Sequence, residues 1–419
     1  MSDNASTFVI VGASLAGTKA AETLRAEGFT GRVVLIGEEP EPPYDRPPLS
    51  KGYLHGTQER GKAYLHDPDW YATQGIELLL GRRVTDLDAG AHTVTLDGIE
   101  RLRYDKLLLA TGSRPRRLTV PGAEAAGVHY LRTIDQADAL LAGLRAGGRV
   151  VVVGAGWIGL EVAAAARAHG CPVTVVETDA LPLRRVLGDE VATVFRDLHL
   201  ANGVDFRFGV GVREIVERDG RLTGMVLTDG SELAADLVAV GVGIEPATEL
   251  ARAAGLGVEN GVVTDAALRT SDPDVYACGD VAASFNPLLG EHIRVEHWAN
   301  ALNGGPAAAR SMLGQHVEFA RVPYFYTDQY DLGMEYSGWV GSEGYDRVVF
   351  RGDPAIAGGK APRFIAFWLR DGRVLAGMNV NVWEVVGTIQ QLVRAGRAGR
   401  SVDQAALADP TVPLGDLLG

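Results

Sequence analysis

Cysteine is nearly absent: the 419-residue chain has two, Cys171 and Cys278. Two isolated thiols build no disulfide framework and no Cys-x-x-Cys metal site, and their scarcity suits a reducing compartment such as the cytoplasm. Basic charge is in deficit. Lys and Arg number 40 against 53 Asp and Glu, a formal net charge of −13, which excludes the basic footprint of a nucleic-acid binder and disfavours adsorption to acidic membranes. No apolar run is long enough to span a bilayer. The first ends in a glycine turn, and the longest later one is broken by Glu161. Met1 to Ala5 lack the positive stretch that opens a signal peptide. The nine histidines show no metal-ligand spacing, and no nucleophile or general base is evident. The remaining composition, 46% hydrophobic and 22% charged, is ordinary for a globular chain, and the length suits two to three domains.

Glycine, by contrast, is abundant at 53 residues, and two clusters of it carry the information. Gly12-Ala13-Ser14-Leu15-Ala16-Gly17 follows the strand-like run Val9-Ile10-Val11 and opens a helix to about Arg25. Gly154-Ala155-Gly156-Trp157-Ile158-Gly159 follows Val150 to Val153 and opens a helix from about Ile158. Second strands, Val33 to Ile36 and Val173 to Val176, complete two βαβ units. In such a turn the first glycine makes the tight bend and the last lets the helix pack close to the strand. The pyrophosphate of a dinucleotide then rests on free N–H groups at the positive helix end. Ser14 stands where the motif has its middle glycine and is small enough to let a phosphate approach; the second turn matches in full.

Glu38 follows Gly12 by 26 positions, and Glu177 follows Gly154 by 23. Carboxylates there accept hydrogen bonds from ribose hydroxyls. Glu177 also repels a 2′-phosphate. No Lys or Arg adjoins it, Asp179 follows, and Arg184 and Arg185 come only later, so NADH is favoured over NADPH. Two cradles 142 positions apart predict two dinucleotides on one polypeptide, the arrangement used to move electrons between a nicotinamide and a flavin.

Leu107 to Gly112 and Leu237 to Gly243 read as matching strand ends, with crossings marked by Ser113-Arg114-Pro115-Arg116 and by Glu245-Pro246. Past about Arg321 the composition changes to alternating and aromatic runs. Asp371-Gly372 is a hairpin signal, predicting an antiparallel C-terminal sheet with terminal helices.

Tyr44-Asp45-Arg46-Pro47-Pro48-Leu49-Ser50-Lys51 resembles the signature of the NADH-dependent ferredoxin reductases that serve bacterial oxygenases. Ala110-Thr111-Gly112, Ala277-Cys278-Gly279-Asp280, Glu296-His297-Trp298-Ala299-Asn300-Ala301 and, more loosely, Phe325-Tyr326-Thr327-Asp328-Gln329 extend the resemblance over essentially the whole chain. It implies an α/β protein with two Rossmann-like dinucleotide-binding domains and an α+β C-terminal domain, in a glutathione-reductase-like architecture. Residues 1–114 and 245–322 would bind FAD, 115–244 NAD, and 323–419 would form an interface domain. FAD contacts are implied at Gly12, Ser14, Ala16, Gly17, Glu38, Arg46, Lys51, Val84, Ala110, Thr111, Gly112, Arg132, Asp280 and Trp298. NAD contacts are implied at Gly154, Gly156, Ile158, Gly159, Glu161, Glu177, Arg185 and Gly243. Lys51 would lie beside the flavin ring and pair with Glu161 near the nicotinamide, as the catalytic pair. An acid so near a helix start also suits the helix dipole without any catalytic role.

The resemblance further implies an iron–sulfur ferredoxin, of 2Fe–2S type, as partner, serving a haem monooxygenase or a Rieske oxygenase. Rubredoxin reductase shares these motifs. A binding module resembling apoptosis-inducing factor is the reading from another class, disfavoured by the intact signature around Lys51. Two departures stand out. Tyr324 and Tyr326 replace tryptophans found in relatives, which keeps an aromatic body while altering the electron path. No cysteine pair accompanies Lys51, which disfavours disulfide reduction and peroxide reduction through a sulfenate, and Cys278 reads as a small buried residue. Docking of an acidic ferredoxin calls for a local basic patch, for which Arg310 and the run Arg394, Arg397, Arg400 are candidates; that run also fits a solvated helix face.

Overall fold

The computed structural model describes residues 6–418, so the N-terminal stretch read for targeting signals lies outside the described residues. The chain forms two compact units: Met1–Asp45, Arg60–Arg114 and Glu245–Tyr324 make the first, and Arg46–Glu59, Pro115–Ile244 and Phe325–Gly419 the second.

The first unit is organised by a five-stranded parallel sheet in the order Val275–Ala277, Lys106–Leu109, Thr7–Val11, Arg32–Ile36, Ile76–Leu79. These strands are nearly continuous Val, Ile and Leu because helices and loops cover both faces. Val9, Ile10, Val33, Val34, Leu35, Leu107 and Leu108 are completely buried, each contributing about 1.5–3 kcal/mol of transfer free energy. The helix Leu15–Ala26 packs against Trp298–Met312. Gly305 allows that approach, since a Cβ there would strike the Ala16 carbonyl oxygen. Two smaller sheets, Val84–Asp88 with Thr93–Leu96 and Glu100–Arg103, and a four-stranded one from Val258 to Ile293, complete the unit.

The second unit repeats the design. Its parallel sheet runs Val204–Phe208, Val173–Glu177, Val150–Val153, Leu237–Val240, Val128–Tyr130, with the helix Trp157–Ala168 crossing from the third strand to the second. The helix Ile134–Ala146 starts at a complete capping box, Thr133 with Gln136, worth about 1 kcal/mol. A five-stranded sheet follows, ordered Tyr324–Gln329, Leu332–Gly338, Arg373–Val380, Arg363–Arg370, Arg347–Asp353. Its central hairpin turns at Asp371 (φ 50°) and Gly372 (φ 72°), the double left-handed turn that Asp-Gly favours. Helices Val386–Arg397 and Gln404–Ala408 close the chain. Trp368, fully buried, donates its indole N–H to the Leu187 carbonyl at 3.0 Å.

Details depart from the sequence reading. The crossings are not plain linkers, since Ser113–Pro115 and Ile244–Pro246 are short strands. Residues 46–59, carrying most of the signature motif, fold with the second unit.

Candidate dinucleotide sites and the buried Lys51–Glu161 pair

In the first unit, Gly12 bends the chain at φ 118°, and a Cβ there would collide with the carbonyl oxygen of Ala110. A Cβ on Gly17 would collide with the carbonyl oxygen of Gly12. The turn is thus drawn tight against Ala110-Thr111-Gly112. There Ala110 N–H donates to Val11 at 2.8 Å, Thr111 Oγ1 to the Ala247 carbonyl at 2.9 Å, and Gly112 adopts φ 69°. Ser14 is the N-cap of Leu15–Ala26 yet accepts no capping bond, which leaves the N–H groups of that helix end for a ligand. Ala16 is buried in the first turn of the helix. Glu38 is exposed past the second strand, its carboxylate 3.7 Å from Arg83. Asp280 lies in the short 3₁₀ turn Gly279–Val281 and accepts from Ser113 Oγ at 2.9 Å. Trp298 opens its helix and donates from Nε1 to Asp45 at 2.9 Å; burial pushes the Asp45 carboxyl up, and the indole bond opposes that. Val84 is a buried residue at the start of a strand, packed among Leu87, Val94 and Leu96.

In the second unit, Gly154 (φ 98°) would place a Cβ against the Gly241 carbonyl, and Gly159 one against that of Gly154. Gly156 differs. Beyond its two chain neighbours, the nearest protein atom to a Cβ there is Gly241 O at 4.0 Å, so no neighbour in the fold demands glycine. Glu177 Oε2 accepts the Ala155 N–H at 2.7 Å, and Oε1 the Asp179 N–H at 2.9 Å, which holds the carboxylate beside the turn. Arg185 lies four-fifths exposed in an ion pair with Asp179 at 2.8 Å. Ile158 and Val242 are exposed apolar side chains, and Gly243 adopts φ 100°. Both turns therefore fit a pyrophosphate. The backbone is drawn in by glycines where protein would clash, and the space beside Gly156 is open.

Arg46, Lys51 and Arg132 also belong to the second unit. Arg46 donates to the Arg132 carbonyl. Pro47 and Pro48 start the 3₁₀ helix Pro47–Ser50, where a missing N–H costs nothing. That helix delivers Ser50 and Lys51 to Glu161. Lys51 Nζ pairs with Glu161 Oε1 at 2.6 Å, with side chains 16% and 2% exposed. Ser50 Oγ donates to Glu161 Oε2, and Thr327 Oγ1 donates to Oε1 at 2.5 Å. Lys51 also stands 5.3 Å from the Tyr326 ring centroid. Glu161 is the fifth residue of its helix, whose first turn holds no acid, so the dipole does not explain it. Removing one partner of a pair this buried costs about 3–5 kcal/mol. Ser50 and Thr327 were not singled out from the sequence, although both lie inside the quoted motifs.

The arginines considered for docking are tied into the fold. Arg310 pairs with Glu27 at 2.8 Å, Arg397 donates to the Trp339 carbonyl, and Arg400 to that of Leu418 at 3.0 Å. Cys171 and Cys278 are free and buried, and burial pushes the Cys278 thiol up to about 12. Among the described residues no cluster of three or more His, Cys, Asp or Glu could hold a metal, and no helix is long and apolar enough to cross a membrane.

Two doubly wound sheets, each with a glycine turn at the end of its central strand, define a two-dinucleotide oxidoreductase fold. The chain belongs to the pyridine nucleotide-disulphide oxidoreductase family, whose model matches residues 6–305; a reductase C-terminal model matches residues 324–418. It is 43% identical to the anthranilate 1,2-dioxygenase system ferredoxin–NAD(+) reductase component of Burkholderia cepacia, over 98% of this chain and 99% of that one. It is 39% identical to putidaredoxin reductase of Pseudomonas putida, over 98% and 96%. Among solved structures, the covalent putidaredoxin reductase–putidaredoxin complex matches with TM-score 0.91, 38% identity and 99% and 98% coverage. The ferredoxin reductase for the CYP199A2 system of Rhodopseudomonas palustris matches with TM-score 0.91, 35% identity and 99% and 100% coverage.

Proposed function

We propose that this chain is an FAD-dependent NADH:ferredoxin oxidoreductase, passing electrons from NADH through FAD to an iron–sulfur ferredoxin, of 2Fe–2S type, that serves a haem monooxygenase or a Rieske dioxygenase. The observation that carries it is the pair of glycine turns, each built to hold a pyrophosphate, in a chain with relatives matched over nearly their whole length that are named as ferredoxin–NAD(+) reductase components of dioxygenase systems. Residues 1–114 and 245–322 hold FAD, 115–244 hold NADH, and 323–419 face the partner. The location is the cytoplasm.

When bound, FAD supplies the exchange between a two-electron hydride and single electrons. The protein's part is positioning and electrostatics. Gly12, Ser14, Ala16 and Gly17 cradle the FAD pyrophosphate on the Leu15–Ala26 helix end, and Glu38 accepts from its ribose. Ala110, Thr111 and Gly112 bring backbone against it, with Val84, Arg46, Arg132, Asp280 and Trp298 as further contacts. Gly154, Gly156, Ile158 and Gly159 cradle NADH, Glu177 takes its ribose, and Arg185 and Gly243 border it. Lys51, held by Glu161, would present an ammonium to the flavin ring and favour negative charge there.

The test is direct. Purified protein reconstituted with FAD is yellow, bleaches under anaerobic NADH, and reduces cytochrome c only when a ferredoxin is added. A chromophore that stays oxidised under NADH overturns the reading. Electron flow to rubredoxin but to no ferredoxin replaces it.

A further inference from the structure

Glu161 accepts from three donors, and one of them is itself the end of a longer chain. Thr327 Oγ1, which donates to Glu161 Oε1, accepts from Gln329 Nε2 at 3.2 Å. Gln329 Oε1 lies 2.8 Å from His199 Nε2, and His199 Nδ1 lies 3.2 Å from the Tyr330 hydroxyl. Thr327, Gln329 and His199 are all buried. Four side chains from the strand Tyr324–Gln329, the residue after it and the helix Arg184–Ala201 thus form a continuous polar line ending on Glu161.

The direction of every bond in this line follows from its end. A carboxylate paired with Lys51 and Ser50 only accepts, so the Thr327 hydroxyl donates to it. A hydroxyl has one proton, so the Thr327 oxygen takes its second bond from the Gln329 amide NH₂. The Gln329 carbonyl then faces His199, whose Nε2 must carry a proton; in the neutral ring Nδ1 is bare and accepts from the Tyr330 hydroxyl. Burial keeps this imidazole neutral, lowering His199 to about 4. The sequence requirement is equally strict, since each residue supplies one donor and one acceptor at the right ends. This line cannot carry protons, because an amide passes one only by changing tautomer. It can carry orientation.

We propose that Thr327, Gln329 and His199 are positioning residues for Lys51, holding the Glu161 carboxylate in one orientation and, through it, the ammonium group. The proposal rests on the reading of Lys51 as the cation presented to the flavin. Nothing in a well-packed core demands this set of donors; apolar residues of like volume would fill the same space without a polar line.

The experiment uses full-length, FAD-loaded protein, the single variants Thr327→Val, Thr327→Ser, His199→Leu, His199→Gln, Lys51→Met and Glu161→Gln, and the double variant of Glu161→Gln with Thr327→Val. At saturating NADH, Thr327→Val and His199→Leu slow flavin reduction about tenfold, equivalent to about 1.4 kcal/mol of barrier. The NADH concentration for half-saturation is unchanged. Thr327→Ser and His199→Gln, which keep one donor and one acceptor, recover most of the rate. In a Glu161→Gln background, Thr327→Val adds no further slowing. In FAD-free protein, imidazole nitrogen NMR finds His199 protonated at Nε2 and bare at Nδ1. Parent rates in Thr327→Val, slowing that persists undiminished in the Glu161→Gln background, or the opposite tautomer would overturn the proposal. If His199→Leu does not fold, the near-isosteric Thr327→Val decides alone. Parent-rate reduction by Lys51→Met would instead sink the underlying reading of Lys51, and with it this proposal; normal Thr327→Val with slow Lys51→Met sinks the relay only.

Discussion

Gly156→Ala separates folding from binding. Gly156 is the N-cap of the helix Trp157–Ala168 and adopts φ −79°, a value open to alanine. A methyl there would have no protein atom beyond its chain neighbours nearer than Gly241 O at 4.0 Å. The fold therefore tolerates the change at the cost of the N-cap difference between glycine and alanine, below about 1 kcal/mol. If a pyrophosphate rests in the turn, the methyl displaces it from the helix N–H groups. Losing one charge-assisted bond, about 1.5–3 kcal/mol, weakens NADH roughly 10- to 100-fold. The paired assay is urea unfolding followed by anaerobic NADH titration of the FAD-loaded variant. FAD content and unfolding midpoint stay near the parent values while NADH affinity collapses. The control is Gly154→Ala, where φ 98° and the Gly241 carbonyl oppose a side chain; it loses stability as well, by roughly 2 kcal/mol or more. Parent-like NADH binding by Gly156→Ala would refute the placement of the pyrophosphate.

Other consequences are open to measurement. Lys51→Met leaves Glu161 with Ser50 and Thr327 as its remaining donors from that set. It slows flavin reduction by NADH about tenfold or more in stopped flow; an unchanged rate refutes its role. Glu177→Ser removes the ribose acceptor and uncovers the Ala155 N–H, so the preference for NADH over NADPH, read as a ratio of kcat/KM, narrows about tenfold. His199 titrates near 4 in the fold against 6.5 as its ordinary value. The unfolded chain therefore takes up the proton first. Stability is full above about pH 6.5 and falls as pH drops toward 4, by up to about 3 kcal/mol. His199→Gln removes that part of the slope in pH-dependent unfolding, and an unaltered slope means that His199 is not its source.

Much of this was legible because it depends on short-range chemistry. The two glycine turns announce themselves by spacing, and the valine-rich strands by being buried on both faces. Asp371-Gly372 specifies its hairpin through two left-handed residues. The pairing of Lys51 with Glu161 came from the family resemblance alone, and the helix position of Glu161 shows why local reasoning failed: outside the first turn, its reason is a set of donors far away in sequence. The relay behind it was illegible. His199 reads as one polar residue in an amphipathic helix, and Gln329 as a strand residue. Only the fold reveals that they face each other across 130 positions. The basic residues considered for docking carried the opposite lesson. Charge in a sequence gives no hint that Arg397 and Arg400 are aimed at backbone carbonyls of their own unit.

The family is named for disulphide chemistry, and this chain has none available. Cys171 belongs to the second unit and Cys278 to the first, both are free, and burial raises both thiols, so neither is a thiolate nucleophile at neutral pH. A family member without reactive sulfur has no covalent relay through which to hand a two-electron equivalent to a small thiol. In the proposed function its reducing equivalents must leave as electrons, toward a partner carrying its own one-electron centre. That shifts the demand on the protein from nucleophile activation to charge placement. The buried, triply hydrogen-bonded Glu161 with its lysine is the feature of this structure that answers such a demand.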